Sequence, residues 1–312
     1  MVNITSILCP VDFSASSRRA LEYAVGIGRW YGAGVTALHV FPNLPVIDAV
    51  PLYRGQPLVL KEQDPATVRK ELEAFAGSVS QGTPVVTELL QAADVQRAIL
   101  GHAASIGADF IVMGTHGRSG IERVLLGSVA ESVVMDAECP VMLVPPGARH
   151  DGQPLPVPFS RIVCGIDFAA TTRQAFDMAL QLAEEADAHL TLVHAIEVPP
   201  ELQVPQTVDE VDVEAARTAA EAEALRHLRE LVPTEARVYC KLHTDVREGR
   251  ADRTIVDTAF DRQADLIVLG SRHHNALDRL FFGTNTHTVL AWAPCPVLAV
   301  PAVTTGAHVG AV

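Results

Sequence analysis

A run of small residues, Gly114–Gly117, follows a short apolar segment and is itself followed, after nine residues, by Gly127–Ser128. The segment Ala108–Met113 is typical of a buried strand, and the residues that follow the second glycine predict a helix with Ser128 as its N-cap and Glu131 three residues later. Glycine lets backbone N–H groups approach an anion closely, and a helix N-terminus offers unpaired N–H donors at the positive end of its dipole. The spacing therefore predicts a loop that binds a phosphate group.

The carboxylate of Asp12 is a second group that could contact a ligand, because it lies near the end of an apolar run typical of a buried strand, Ser6–Phe13. Further apolar runs alternate with helical patterns, which is typical of a parallel sheet with crossover helices. These runs are Val35–Phe41, Pro84–Leu90, Asp109–Gly114 and Val141–Val144. In a doubly wound sheet the ligand lies beyond the carboxyl ends of the strands where their order reverses. We therefore expect an α/β fold with helices on both faces. A strand order of 3-2-1-4-5 would place Asp12 opposite the glycine loop.

The chain contains two copies of this pattern, offset by 155 to 156 residues, which we call the first and second repeats. The corresponding pairs are Asp12 and Asp167, Gly114 and Gly270, Gly127 and Gly283, and Ser128 and Thr284. A first helix, predicted to open at Ser14 in the first repeat, has a core face with the same spacing in both: Leu21, Ala24, Val25 and Gly28, then Phe176, Ala179, Leu180 and Ala183. A stretch rich in proline and glycine separates the copies. We therefore expect a first domain over residues 1–147, a linker over 148–158 and a second domain over 159–302.

The net charge of the chain disfavours some classes of binding partner. The 312 residues include 24 basic and 37 acidic side chains, so the formal net charge is −13. This charge disfavours binding to nucleic acid or to an anionic membrane surface. The sequence contains no apolar run that approaches the ~20 residues of a membrane span and no secretory leader. We therefore expect a cytoplasmic protein without nucleic-acid or membrane partners.

The last predicted strand of each repeat is short, apolar and preceded by a cysteine and a proline. Cys139 and Cys295 occupy these positions, while Cys9 and Cys164 lie within the first strands. Such cysteines are expected to be core thiols rather than members of a disulfide framework. Because a bare sheet edge is unfavourable, Val141–Val144 is expected to pair with Val297–Val300 within the chain.

These residues together resemble the universal stress protein family. The resemblance rests on the first strand ending in Val11-Asp12, the run Val112–Gly120, the spacing Gly-x2-Gly-x9-Gly-Ser, and Cys-Pro-Val before the last strand, and it covers both repeats. The first repeat has the complete spacing of the family's ATP-binding branch. The resemblance implies tandem five-stranded units of the adenine nucleotide alpha hydrolase-like type, paired about a pseudo-twofold axis through the last strand. It also implies ATP, with or without magnesium, as the ligand, and it allows a homodimer of the whole chain.

Carried over residue by residue, the resemblance places Asp12 at the adenosine end of the nucleotide, where a carboxylate accepts from ribose hydroxyls or the adenine amino group. Backbone or hydroxyl donors for the phosphates are expected from Gly117, Gly127, Ser128 and Val129. Arg118 is the nearest cation, either solvated or in contact with a phosphate. The expected binding residues of the first repeat are Pro10, Val11, Asp12, Val40, Met113, Gly114, His116, Gly117, Arg118, Gly127, Ser128 and Val129. Those of the second repeat are Asp167, Gly270, Gly283 and Thr284.

The second repeat departs from the motif at one position that could abolish binding. His273 stands where the first repeat has Gly117. The first repeat also departs from the second, because it has Ala92 at the position of Gly249. An imidazole at the glycine position either blocks the approach of a phosphate or donates a hydrogen bond to it. Whether the second repeat binds nucleotide stays open at this point. No metal ligation by the loop histidines is expected, because the sequence has no cysteine or carboxylate at ligand spacing.

Two classes of function remain from the sequence. The first is an ATP-binding regulatory protein of the stress response, in which occupancy of the first repeat changes domain packing or partner choice and any hydrolysis is slow. The second is a nucleotide-independent interaction module. The sequence has no Walker lysine, no kinase signature and no evident catalytic base, so no catalytic residue is expected and activity would be at most that of a weak ATPase. A nucleotidyl transferase lacks support, because the turn after Asp12 has none of the loops that such enzymes use.

Overall fold

The computed structural model describes residues 4–41, 64–80, 82–115, 126–146, 148, 155, 157–197, 210–234, 236, 240–271 and 284–302. In these residues strands and helices alternate through both repeats. The strands are β1 (Ser6–Pro10), β2 (Gly34–Phe41), β3 (Val85–Gln91), β4 (Phe110–Gly114), β5 (Val141–Val144), β6 (Arg161–Gly165), β7 (His189–Ile196), β8 (Lys241–Glu248), β9 (Leu266–Ser271) and β10 (Val297–Pro301). The helices are α1 (Ala15–Tyr31), α2 (Pro65–Ser80), α3 (Val95–Ser105), α4 (Ser128–Asp136), α5 (Ala170–Ala186), α6 (Glu210–Leu231), α7 (Ala251–Asp261) and α8 (Thr284–Trp292).

All ten strands form one sheet with the order β3-β2-β1-β4-β5-β10-β9-β6-β7-β8. Each repeat therefore has the predicted order 3-2-1-4-5, and its strands pair in parallel. The two repeats meet at β5 and β10, which pair antiparallel with Leu143 opposite Val297 and Met142 opposite Leu298. The predicted pairing of the two last strands is thus confirmed.

Helices cover both faces of this sheet, and each face has a hydrophobic core that spans the two repeats. One core contains Tyr23 of α1 and Phe176 of α5, and the other contains Val133 of α4 and Val289 of α8. The predicted core faces of α1 and α5 are buried. Gly28 permits the close approach of α1, since a Cβ there would lie 2.6 Å from Val35 Cγ2. Burial of apolar surface across the seam therefore stabilises the repeats as one body.

Contacts between side chains add to the seam and to the linker. The Tyr31 hydroxyl donates to Glu185 Oε2 at 2.6 Å and so joins α1 to α5. In the linker, Val157 packs over Gly26 of α1, where a Cβ would lie 3.5 Å from Val157 Cγ2. Arg19 Nη1 donates to the carbonyl oxygen of Ala148. The chain between the repeats is therefore packed against the first helix at these points.

The amino ends of β1 and β4 are fixed by a carboxylate. Asp109 accepts hydrogen bonds from the Thr5 and Ser6 amides at 2.8 and 3.2 Å. In the second repeat Asp265 accepts from the Ser160 and Arg161 amides in the same way, at 2.9 Å each. The two strands are therefore fixed to each other at the end opposite to the crevice in which the predicted residues meet.

The first strand is shorter than the sequence pattern predicts. The apolar run extends to Phe13, but β1 ends at Pro10. Phe13 has φ of +67°, a left-handed conformation that cannot continue a strand. The chain therefore turns at Asp12, and α1 begins after its N-cap Ser14, whose hydroxyl accepts the Ser17 amide at 3.1 Å. The predicted start of this helix at Ser14 is confirmed.

Candidate functional site

A cavity of about 290 Å³ lies at the carboxyl ends of β1 and β4, where the strand order reverses. This volume is close to the lower end of the range for small-molecule sites. Nine of the residues expected from the sequence line it: Pro10, Val11, Asp12, Val40, Met113, Gly114, Gly127, Ser128 and Val129. Three more, His116, Gly117 and Arg118, lie outside the described residues. The described part of the first repeat thus brings its predicted residues to one crevice.

Asp12 occupies the turn between β1 and α1, at the wall of this cavity. Its amide donates to Ser17 Oγ at 3.3 Å, and its Oδ1 accepts the Ser14 amide at 3.0 Å. These bonds orient the carboxylate while leaving it half-exposed to the cavity. A carboxylate in this state can accept hydrogen bonds from hydroxyl or amino groups of a ligand.

Gly114 ends β4 on the opposite side, and only glycine fits there. A Cβ would lie 2.4 Å from Ser16 Oγ and 3.0 Å from the Ser16 backbone carbonyl carbon. The next residue, Thr115, donates its amide to Val144 and accepts the Gly127 amide at 2.8 Å. The Gly127 amide, expected from the sequence to be a phosphate donor, is therefore already engaged within the protein. It closes the loop by joining the start of α4 to the end of β4.

The N-terminus of α4 differs from the predicted arrangement. Gly127, not Ser128, is the N-cap residue, with extended backbone angles and no side-chain cap. The Gly127 carbonyl accepts the Glu131 amide at 3.0 Å, so Ser128 is the first helical residue and the predicted serine cap is wrong. Ser128, Val129 and Ala130 form the first turn and line the cavity. First-turn amides have no partner within the helix, so this turn can donate hydrogen bonds to an anion.

The remaining walls of the cavity are apolar, and they include residues that the sequence interpretation missed. Leu38 and Val40 come from β2, and Val95 and Ile99 from the first turns of α3. The α3 pair is spaced i,i+4 directly after the N-cap Asp94, whose Oδ1 accepts the Arg97 amide at 3.0 Å. That spacing is also typical of an ordinary core face, so it does not by itself indicate a ligand wall. The other missed lining residues are Ser17, Thr115 and Ala130.

Comparison with known proteins identifies the family. The profile of the Universal stress protein family matches residues 3–145 and again residues 158–301. The chain belongs to this family. A universal stress protein of Mycolicibacterium smegmatis is 28% identical over 303 residues, covering 94% of this chain and 96% of that protein. One from Methanocaldococcus jannaschii is 35% identical over 141 residues, covering 44% of this chain and 80% of that protein.

Solved structures of the same fold span both repeats. The crystal structure of a universal stress protein from Archaeoglobus fulgidus has a TM-score of 0.64 and 19% identity, and it covers 96% of this chain and 97% of that chain. A functionally unknown protein from Pseudomonas aeruginosa has a TM-score of 0.65 at 19% identity, with 96% and 93% covered. This universal stress protein therefore shares the tandem fold with both. None of the helices in the described residues is long and apolar enough to cross a membrane.

The second repeat of this universal stress protein differs at the corresponding crevice. Asp167 Oδ1 accepts the Ala169 amide at 3.0 Å and also the Thr172 hydroxyl. Glu197 Oε1 accepts the first amide of α7, that of Ala251, at 3.1 Å. Gly270 lies within β9, and Thr284 is the first residue of α8. Gly283 and His273 lie outside the described residues. The protein thus supplies a hydroxyl to the Asp167 carboxylate and a carboxylate to the start of α7, the counterpart of α3.

The register of the sheet shows which wall residues have changed. Val40 and Val95 of the first repeat correspond to Ala195 and Ala251 of the second. In the second repeat, Ile255 Cδ1 and Leu269 Cδ2 each lie 2.9 Å from the position that a Cβ of Gly165 would take, so these two side chains fill the space beside the glycine. The first repeat has Pro10 in place of this glycine. The two crevices are therefore built on one backbone but have different apolar walls.

The cysteines offer no reactive thiolate to either crevice. None of the five forms a disulfide, and Cys9, Cys164, Cys240 and Cys295 are buried. Burial raises the pKa of Cys139, the half-buried one, to about 11. A thiol with such a pKa is almost wholly protonated at neutral pH and is a poor nucleophile. The expectation of core thiols thus agrees with their burial.

Proposed function

We propose that the first repeat binds ATP and that this occupancy, rather than catalysis, is the function of the site. The observation that carries the proposal is the single cavity that joins three kinds of surface: the Asp12 carboxylate, the apolar walls of β2 and α3, and the first turn of α4. A sugar or base with hydroxyl or amino groups matches the first surface. An aromatic base matches the second, and an anionic tail matches the third.

The donor set favours a phosphate-bearing ligand over an uncharged one. Ser128 and Val129 contribute helix-start amides, and Ser128 also has a hydroxyl that can donate. Gly114 also lines the cavity and presents only backbone to it, since Ser16 leaves no room for a Cβ at this position. ATP binds in this scheme with or without magnesium, which would be carried by the phosphates.

The proposed role is regulatory, in a cytoplasmic stress response. Among the described lining residues Asp12 is the one acid, its Oδ1 accepts the Ser14 amide, and no histidine or lysine that could act as a base is among these residues. Binding without turnover fits this arrangement. Occupancy would order the walls of the first repeat and so change what a partner protein contacts.

Native mass spectrometry and isothermal titration test the proposal. The unaltered chain is expected to bind ATP saturably, and Asp12→Asn is expected to weaken binding about tenfold through loss of a charged hydrogen-bond acceptor. The matched control is Asp167→Asn in the second repeat, which leaves the affinity of the first repeat unchanged. Absence of saturable ATP binding, or equal loss in both variants, contradicts the proposal.

A nucleotide-independent interaction module is the second candidate, and one observation favours it. Trp292 and Phe260, both in the second repeat, are 55% and 52% exposed, which is unusual for aromatic side chains. If this surface binds a partner protein, the substitution Trp292→Ala is expected to abolish capture of that partner, and adding ATP is expected to have no effect on it. A partner that is gained or lost with ATP supports the first proposal instead.

A further inference from the structure

We infer that His39 and Phe13 are positioning residues that fix the direction of the Asp12 carboxylate, an inference that rests on the proposed nucleotide site. Asp12 and Val11 line the cavity. The rings of His39 and Phe13 are not among its described lining residues and lie beside the turn that contains Asp12. They would therefore act on a ligand only through the backbone on either side of Asp12.

His39 holds the residue before Asp12. Its Nδ1 lies 2.7 Å from the Val11 carbonyl oxygen, and the ring is buried. A carbonyl oxygen can only accept, so Nδ1 carries the hydrogen and donates it. The Val11 amide in turn donates to the Leu38 carbonyl at 2.8 Å. Both polar backbone groups of Val11 are thus bonded to β2.

Phe13 holds the residue after Asp12. Its φ is +67°, a backbone angle that residues other than glycine rarely adopt. Such a conformation persists when the surrounding structure imposes it. Here the Phe13 ring lies against His39 at a tilt of 40°, with centroids 4.4 Å apart, and forms a T-shaped pair with Phe75, with centroids 5.6 Å apart. The same histidine therefore fixes both neighbours of Asp12, one through a hydrogen bond and one through ring contact.

The second repeat contains the same pair of rings but holds its acid differently. His194 Nδ1 lies 2.8 Å from the Ile166 carbonyl oxygen, and the ring of Phe168, at φ of +57°, lies against His194 at a tilt of 43°, with centroids 4.5 Å apart. There the Thr172 hydroxyl donates to the Asp167 carboxylate. In the first repeat the corresponding Ser17 hydroxyl donates to the Ser14 carbonyl at 3.1 Å instead. The direction of Asp12 thus depends on its backbone, and the second repeat supplies matched control positions.

The test is discrimination between ATP and 2′,3′-dideoxy-ATP, which lacks the ribose hydroxyls that Asp12 would accept from. The unaltered chain is expected to prefer ATP about tenfold. His39→Leu and Phe13→Gly are expected to abolish this preference while leaving the Kd of dideoxy-ATP unchanged. Glycine adopts positive φ readily, so Phe13→Gly retains the turn. His39→Asn keeps an N–H donor near Nδ1 but loses the ring contact with Phe13, so it is expected to retain only part of the preference.

Control variants and contrary outcomes separate this inference from the proposed function. His194→Leu and Phe168→Gly are expected to leave both affinities unchanged. A preference that survives His39→Leu and Phe13→Gly, or a parallel loss of both ligands, overturns the positioning role. If the unaltered chain binds ATP and dideoxy-ATP equally well, Asp12 does not contact the ribose hydroxyls. That result overturns this inference and leaves the proposed function intact. Failure to bind ATP at all overturns both.

Discussion

Ser16 Oγ lies 2.4 Å from the position that a Cβ of Gly114 would take, so the first turn of α1 rests directly on the end of β4. This contact joins the element that follows Asp12 to the strand that begins the glycine loop. The two sides of the crevice are therefore mechanically linked through backbone.

Gly114→Ala is expected to destabilise the protein by about 1–3 kcal/mol, because the added methyl group overlaps Ser16 and forces the helix from the strand. Urea unfolding measures the change. Gly101→Ala is the control, since Gly101 lies within α3 with no atom within 4 Å of its Cβ position. That variant is expected to stabilise by about 0.5–1 kcal/mol. Similar effects of the two substitutions would contradict the contact.

Charged substitutions at the seam are expected to separate the repeats. Leu143 and Leu298 are fully buried, but they lie in different cores on opposite faces, with Leu143 opposite Val297. Aspartate at either position is expected to cost at least about 3 kcal/mol, because an unpaired charge enters an apolar core. Limited proteolysis of the double variant should cleave near the linker. Val86→Asp, at a position 56% exposed on β3, is the control and should change stability by less than about 0.5 kcal/mol. Unchanged protection in the double variant would contradict the role of the seam.

The α7–α8 contact is expected to depend on pH through Asp252. Burial raises the pKa of Asp252, but hydrogen bonds from Arg250, the Arg253 amide and Thr288 outweigh it and hold the pKa below its usual value. The ionised form is thus favoured in the folded state, so its stabilisation is present at neutral pH and is lost as pH falls through the depressed pKa. Asp252→Asn is expected to cost about 2 kcal/mol at pH 7.

Unfolding of the unaltered chain and of Asp252→Asn, followed from pH 7 to pH 2, measures this effect. The difference in free energy of unfolding should stay constant down to about pH 5 and vanish near the acid limit. Glu88→Gln, on β3, offers a control without such partners among the described residues. A difference that grows on acidification has the wrong sign for this arrangement.

The hydrogen bond between Tyr31 and Glu185 should couple the two repeats directly. Tyr31→Phe is expected to cost about 1 kcal/mol, since the hydroxyl donates to a half-buried carboxylate. A double-mutant cycle with Glu185→Gln isolates the pair from the other contacts of Glu185. A coupling energy near zero would contradict this prediction and would mean that the hydrogen bond does not stabilise the seam.

The strands and the crevice residues could be predicted from sequence because the apolar runs and the repeated glycines are local patterns. The strand order does not follow from these patterns; it is expected because it places Asp12 opposite the glycine loop, and the structure has it. The cap of α4 could not, because serine and glycine both suit an N-cap and the choice follows from the Gly127 amide binding Thr115. The end of β1 was hidden because Phe13 is apolar and only its φ breaks the strand. Val95 and Ile99 resemble core residues in sequence, and they line a cavity only because α3 packs beside β2.

The antiparallel junction of β5 and β10 has a consequence for how the molecule meets its surroundings. Because every other strand pair is parallel, the strands of the two halves point in opposite directions, and the crevices open at opposite ends of the sheet. A protein that docks at one end therefore senses one crevice only. The crevice of Asp12 and the crevice of Asp167, which have different walls, are therefore accessible to separate partners.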